Sequence, residues 1–326
     1  MGCDLEADEA PETAFELRSL AFTADHHGQR LDRALALLLP EFSRSHLQHL
    51  IALGDVRIQG VVTTKPSVRV RAGSWAQVVL RPTAQSQAFR PETGEVVVVF
   101  EDEHLLVVDK PAGLVVHPAP GNWSGTLMNR LLGRDPRAVH LPRAGIVHRL
   151  DKDTSGLMVV ARTRPTMETL VRMLAARSIR RQYLALVRGA WRHGQPIEVV
   201  QPIGRDPNHR LRMAVREPGG GKPAHSTLCG LTHNDQYSLL HCSLQTGRTH
   251  QIRVHCAWLG HPLLGDGLYG GPVGAIWPRQ ALHATWLAFA HPVHGQPLRF
   301  FSAPPDDFCR MQRAAGLDYN PAAHGV

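Results

Sequence analysis

The sequence predicts an α+β protein of two domains. Three observations carry this. At 326 residues the chain is long enough for more than one hydrophobic core. A short run of helix-period patterns followed by strand patterns comes first, and a longer interleaving of strands and helices follows it. Between them, residues 82–94 are rich in Pro, Gln, Ser and Thr and read as a linker. The expected division is an acidic, disordered tail over 1–20, a small module over 21–81, the linker, a larger domain over 95–310 and a C-terminal tail over 311–326.

In the small module, Leu31, Leu35, Leu38 and Leu39 fall on one helical face, and Pro40 ends that helix. Ser43 can cap a second helix that turns Leu47, Leu50 and Ile51 inward and stops at Gly54. Strands are expected at Val56–Gln59 and Trp75–Leu80, joined by a loop that holds Lys65, Arg69 and Arg71. The larger domain opens with β-branched strand patterns at Val96–Phe100 and Leu105–Val108. Further strands are read at Leu157–Ala161, Arg180–Val187 and Leu239–Leu244. Helices are read at Trp123–Leu132, Thr166–Ala176 and Thr249–Leu259. There is no internal repeat.

Composition narrows the function classes. Hydrophobic content of 43% with 20% charged residues describes a globular protein. No segment reaches the roughly 18 apolar residues needed to span a bilayer. The start lacks a basic and apolar leader, and Glu6 stands where a myristoylation signal needs Ser or Thr. Asp4, Glu6, Asp8, Glu9, Glu12 and Glu16 against Arg18 give the first 18 residues a net −5. With an overall +8, the remaining chain carries +13. Such a basic body suits a polyanion, RNA or DNA, with plain solubility charge as the alternative. The five cysteines form no CxxC pair and lack zinc-ligand spacing, so no metal site and no disulfide set is expected. Reduced thiols and a cytoplasmic location follow.

The stretch with most chemical content is His148-Arg149-Leu150-Asp151-Lys152-Asp153-Thr154-Ser155-Gly156-Leu157. A carboxylate, Asp151, stands in a polar turn between two cations, directly before an apolar strand that fixes the turn. An isolated Asp in a loop is most often a turn-former. Its surroundings decide otherwise.

That stretch resembles the catalytic-aspartate motif of the RluA family of pseudouridine synthases, which move uracil from an N-glycosidic to a C-glycosidic bond in RNA. Three more segments resemble the family, in the family's order: Val108-Asp109-Lys110-Pro111-Ala112-Gly113-Leu114-Val115-Val116-His117-Pro118, Arg180-Arg181-Gln182-Tyr183-Leu184-Ala185-Leu186-Val187, and Leu244-Gln245-Thr246-Gly247-Arg248-Thr249-His250-Gln251-Ile252-Arg253-Val254-His255. Leu282-His283-Ala284 and His291-Pro292 echo it near the C-terminus, so the match covers roughly 96–308. Arg30-Leu31-Asp32, Ser43-Arg44, Ile51, Gly54-Asp55-Val56, Gln59-Gly60 and Gly73 in the small module resemble the S4 RNA-binding domain. Gln59 and Ser74 replace the usual Asn and Asp there.

The resemblance implies a fold and a site. An S4 domain would precede a catalytic domain with a mixed, largely antiparallel sheet flanked by helices. The S4 resemblance implies a basic RNA-facing surface made of Arg44, His46, His49, Arg57 and Lys65. Asp151 is the implied nucleophile, Tyr183 the active-site tyrosine that stacks on uracil, and Arg248 the arginine paired with the aspartate. Whether Asp151 attacks the sugar, attacks the ring or acts as a base stays open. Tyr183 could instead be a core aromatic, and Arg248 a surface residue at a helix start, although the helix dipole disfavours a cation there. Arg149 is expected to contact phosphate or fill the gap left by the flipped nucleotide, Ile252 to wall the uracil, and Lys110 to touch phosphate or brace the site. His148, His250 and His255 are expected to hold loops by hydrogen bonds.

The substrate base must be turned out of its stack to expose the glycosidic bond. No cofactor is implied: isomerisation is redox-neutral, and Gly219-Gly220-Gly221 lacks the Lys-Ser/Thr of a phosphate loop. The expected partner is RNA, ribosomal RNA or a pre-ribosomal particle, met by a monomer without membrane or nucleotide cofactor. Within the family the S4 module, Pro202-Ile203-Gly204-Arg205-Asp206 and Arg212-Met213-Ala214-Val215 are similar to the RluD type, which modifies large-subunit (23S) ribosomal RNA. A transfer-RNA uridine and a non-catalytic RNA-binding or ribosome-assembly factor are the alternatives.

Overall fold

The structure, a computed structural model, describes residues 16–80, 88–119, 121–217 and 219–319. Most of the acidic tail, residues 82–87 of the linker and 320–326 of the C-terminal tail lie outside the described residues. The chain divides into two compact units between Gln87 and Ala88.

The first unit contains β1 (Glu16–Ala21), α1 (Leu31–Leu38), α2 (Arg44–Ala52), β2 (Val56–Ile58), β3 (Val61–Val62) and β4 (Trp75–Leu80). Its strands form one antiparallel sheet in the order β1-β4-β2-β3. The leucines of the two helices pack with Val56, Ala76 and Val78 in a closed core. Ser43 accepts a hydrogen bond from the His46 backbone and caps α2. One expectation needs correcting: Glu16 to Leu20, assigned to the acidic tail, belong to a strand paired from Glu16↔Leu80 to Ala21↔Trp75. Its half-exposed side chains give little periodic signal, and main-chain pairing along β4 defines it.

Asp32, fully buried on α1, accepts hydrogen bonds from Arg30, Arg44 and Gln48. Burial opposes its charge, but these partners prevail and hold the carboxyl well below the usual carboxylate range. Arg44 therefore places two of its donors on Asp32, at 2.8 and 3.1 Å, while its side chain stays about half exposed. His49, Arg57 and Lys65 are exposed, and His46 is half-buried.

The second unit is built on a nine-stranded sheet. Its strands and helices are β5 (Val97–Glu101), β6 (Leu105–Lys110), α3 (Leu127–Arg134), β7 (Ser155–Ala161), α4 (Arg164–Ala175), β8 (Arg180–Arg188), β9 (Ile197–Val199), β10 (Ile203–Arg205), β11 (Met213–Val215), β12 (Ser226–His233), β13 (Tyr237–Leu244), α5 (Gln251–Trp258), β14 (Leu282–Ala290), β15 (Pro297–Phe301) and α6 (Asp306–Ala314). The sheet order is β5-β6-β7-β14-β8-β13-β12-β9, with β15 on the far end of β14. β10 and β11 form a separate hairpin. Every pair in the large sheet is antiparallel except β7 with β14.

Both faces of this sheet are covered, which explains why its central strands read as unbroken apolar runs. Leu106, Val108, Met158, Val160, Tyr183 and Ala185 share a core with α3 and with Ile252 and Cys256 of α5. The alternate residues Leu105, Val107, Leu157 and Val159 meet Leu170 of α4. Leu184 and Leu186 meet Phe308 and Met311 of α6. The boundary expected at 310 therefore cuts through a packed helix, and Ala315 and Leu317 beyond it are buried as well. The high polar content of Asp306–Ala314 hides a narrow apolar face from a sequence reading.

The one parallel pairing explains a glycine. Gly156 has φ +114°, and a Cβ there would lie 2.2 Å from the Ala284 carbonyl oxygen. Only glycine lets β14 approach the start of β7. That junction places the aspartate turn beside β8.

Candidate active site

The turn that carries Asp151 is braced at each following residue. Thr154 N–H donates to the Asp151 carbonyl at 3.1 Å. Lys110 Nζ donates to the Lys152 carbonyl at 2.9 Å, and Arg279 Nη1 to the Asp153 carbonyl at 3.0 Å. Gln280 Nε2 donates to Thr154 Oγ1, and Ser155 Oγ pairs with His283 Nδ1 at 2.9 Å. Arg279 is itself gripped by Asp307 of α6 at 2.6 and 2.9 Å. A turn tied this way holds its carboxylate on a rigid frame.

Asp151 lies in a cavity of about 790 Å³, which Arg149, Tyr183, Arg248, Ile252 and Arg253 also line. The sequence had these apart by as much as a hundred residues, and the fold brings all but Lys110, Arg44 and Lys65 of the expected site residues together. Six arginines line the cavity (143, 149, 177, 181, 248 and 253), against Asp151 as its single carboxylate. Five described non-glycine residues have left-handed backbone, and three of them, Arg143, Arg177 and His250, line this cavity. Such backbone costs roughly 1–3 kcal/mol per residue and clusters where function maintains it.

The ion pair expected between Arg248 and Asp151 is not formed. Arg253, five residues further on, takes that place: its Nη1 donates to Asp151 Oδ2 at 3.1 Å. Its Nε and Nη2 grip Asp266 at 2.6 and 2.9 Å as a two-pronged fork. The guanidinium also lies over the Tyr269 ring, 4.9 Å from its centroid. Burial opposes the charge of Arg253, but Asp266 and Asp151 raise its affinity for the proton above that of an ordinary arginine. Arg248 instead donates from Nε to the Pro223 carbonyl at 2.9 Å, and its backbone N–H goes to Gln251 Oε1. The reason is the turn into α5. Gln251, not Arg248, organises it, accepting also from Thr246 Oγ1 and donating to the His225 carbonyl and Ser226 Oγ. Arg248 is thus held at the outside of the turn, while Arg253 sits in the first turn of α5 and faces Asp151 and Asp266.

Tyr183 is nearly buried, and burial raises its hydroxyl above the ordinary tyrosine value. Ile252 is buried beside Arg253, and Arg149 is exposed at the cavity edge. The three motif histidines hold backbone or polar side chains, as expected. His148 Nε2 accepts from the Val159 N–H at 3.1 Å, and burial together with Arg181 lowers its pKa to about 3. His255 bridges Ser226 Oγ and the Gln201 carbonyl. His250 Nδ1 meets the Tyr269 hydroxyl at 2.8 Å, with its Nε2 4.0 Å from Asp151. Among the described residues no cluster of His, Cys, Asp or Glu could hold a metal ion.

Of the two roles expected of Lys110, bracing the site is the one its contacts fit. Lys110 is buried and absent from the cavity lining, and its three N–H bonds point at the carbonyls of Pro111, Leu114 and Lys152. It braces the aspartate turn. Burial lowers its pKa from 10.5 to about 7, against the pull of Asp153 and Asp151. Between these values the unfolded chain binds more protons than the folded one, so this group adds stability as pH rises. Urea melts from pH 7 to 10 are expected to show wild-type stability rising relative to Lys110→Met. A constant difference across that window would contradict the charge burial.

Sequence reasoning missed Arg253, Asp266, Tyr269 and Arg181 as site residues. A signal existed for Arg253: it stands inside the apolar run Ile252-Arg253-Val254 of a helix, and a buried arginine requires an anionic partner. Asp266 lies in a loop with no pattern to mark it.

A model described as RNA pseudouridylate synthase matches residues 104–258, and an S4 domain model matches 29–75. The ribosomal large subunit pseudouridine synthase D of Xanthomonas campestris pv. campestris is 47% identical over 309 residues, 91% of this chain and 92% of that protein. The protein of the same name from Nitrosomonas europaea is 47% identical over 295 residues, 88% of this chain and 84% of that protein. The solved structure of human RNA pseudouridylate synthase domain containing 4 is 21% identical, covers 68% of this chain and 94% of that chain, and superposes with a TM-score of 0.54, a likeness of fold.

Proposed function

This chain belongs to the RNA pseudouridylate synthase family and is an enzyme that isomerises uridine in RNA, and from that premise we propose large-subunit (23S) ribosomal RNA as its substrate and Asp151 as its reacting carboxylate. The names of the two bacterial relatives support the substrate. The observation that carries the site is the Asp151–Arg253–Asp266 chain at the floor of a cavity whose other charges are arginines.

The reaction conserves every atom. The N1–C1′ bond of uridine breaks, the uracil turns, and a C5–C1′ bond forms; the C5 proton leaves and N1 gains one. Asp151 meets the electron-poor centre that this creates, by attack or by taking a proton from the sugar. Arg253, fixed by Asp266, orients the carboxylate through Nη1. Tyr183 offers its ring face to the flipped uracil, and its raised pKa keeps the hydroxyl protonated at neutral pH. Ile252 closes the apolar side. Arg149 at the cavity edge contacts phosphate or occupies the space the base vacates, and Arg248 lies at the same edge, available to the RNA. Lys65 and the exposed part of Arg44 give the S4 domain a cationic face for the same polyanion. The enzyme works as a monomer, in the cytoplasm, and its chemistry asks for no cofactor. No described helix is long and apolar enough to cross a membrane.

Mapping pseudouridines in ribosomal and transfer RNA from cells with and without the gene tests the substrate. The expected result is loss of one or a few 23S sites and their return with the wild-type copy. Loss confined to transfer RNA would overturn it.

A further inference from the structure

Arg181 carries a charge that no described carboxylate answers. It lies on β8 two residues before Tyr183, so both side chains project from the same face of the sheet. It is 9% exposed and lines the cavity that holds Asp151. Its Nε is buried with no hydrogen-bond partner, and no described carboxylate pairs with its guanidinium. Asp151, the single acid of the cavity, is taken by Arg253. The other buried arginines of this unit, 253 and 279, each have a forked carboxylate partner.

An uncompensated buried charge is expensive, and proteins normally pair it or avoid it. Here the chain makes room for it. A Cβ on Gly247 would lie 2.7 Å from Arg181 Nη1, so the glycine of Thr246-Gly247-Arg248 leaves the space the guanidinium occupies.

We propose that Arg181 is a substrate-binding residue that receives a backbone phosphate next to the target uridine, completing its charge only when RNA is bound. This rests on the reading of the cavity as the uridine site. Phosphate is the only formal anion that RNA offers, because the uracil carbonyls are neutral. The planar guanidinium fork matches two phosphate oxygens. The position fits: two residues along a strand is roughly 7 Å, about the span from a base stacked on Tyr183 to its own phosphate. The free enzyme therefore holds an unpaired cation, and RNA supplies the counter-charge at depth, where it is worth more than at an exposed rim.

The test uses the full chain and a short RNA containing the target uridine, made with normal phosphates or with a single neutral methylphosphonate on either side of that uridine. Wild-type turnover on the normal RNA is measured first; its absence would refute the function reading and leave the binding arms to judge Arg181 separately. Against the normal RNA, Arg181→Gln is expected to weaken binding about tenfold or more and to lower the salt slope by about one. One methylphosphonate should weaken wild-type binding similarly yet leave Arg181→Gln unaffected. Arg181→Met should raise the melting temperature of the free protein, by about 2 °C or more, where a structural arginine would lower it. Gly247→Ala should fold normally but bind RNA more weakly, because it displaces the guanidinium. Equal methylphosphonate penalties in wild type and Arg181→Gln, or a lowered melting temperature with unchanged affinity in Arg181→Met, would overturn the assignment.

Discussion

Replacing Asp151 with Asn is expected to abolish pseudouridine formation while leaving RNA binding in place. The side chain keeps its size and one oxygen for Arg253, so the turn braced by Lys110, Arg279 and Gln280 should hold. What disappears is the charge and the basic oxygen that the isomerisation uses. Turnover should fall by about 10⁴-fold or more, to background. Binding should tighten slightly if it changes, because one negative charge leaves a cavity filled by a polyanion. Single-turnover assays beside filter binding separate the two effects. Product formed at more than about one hundredth of the normal rate would remove Asp151 from the chemistry.

Arg253→Gln is the second large effect, and it should hit both stability and rate. The substitution leaves Asp266, almost fully buried, and Asp151 without their shared cation. Breaking a buried pair from one side costs about 3–5 kcal/mol. The reacting carboxylate also loses the group that orients it, and turnover should drop by about 10²–10³-fold. Adding Asp266→Asn removes the stranded charge, so the double variant should regain most of the stability and none of the activity. Arg253→Lys should fold better than the Gln variant but stay slow, because an ammonium is a point charge and cannot grip Asp266 twice while reaching Asp151. Arg248→Ala provides the contrast. Its side chain holds one carbonyl, and its loss should cost turnover far less than Arg253→Gln. Urea melts and turnover on the same preparations decide this. An Arg248 variant slower than the Arg253 variant would reverse the two roles.

The helices and strands that periodicity marks stand close to where it places them. Trp75–Leu80 agrees to the residue, and Ser43 caps α2 as expected. The sequence reading did not mark β1, β3, β9 to β12, β14, β15 or α6, and for two of these the reason is plain. β1 and α6 carry so few apolar side chains that pairing and docking, not pattern, define them. Asp151, Tyr183 and Ile252 were legible because each is local to a dense motif and all three line the cavity.

What the sequence by itself determined is the family and the motifs that carry it, since residue type and spacing are written along the chain. What only the tertiary structure decided is which charge meets which. Arg253 displaced Arg248 at the carboxylate because the turn led by Gln251 directs one outward and the helix directs the other to the floor. Lys110 became a brace because three carbonyls from two loops converge on it. Arg181 became an open cation because no described acid pairs with it. Coulombic partnership falls off with distance through space and takes no account of position along the chain.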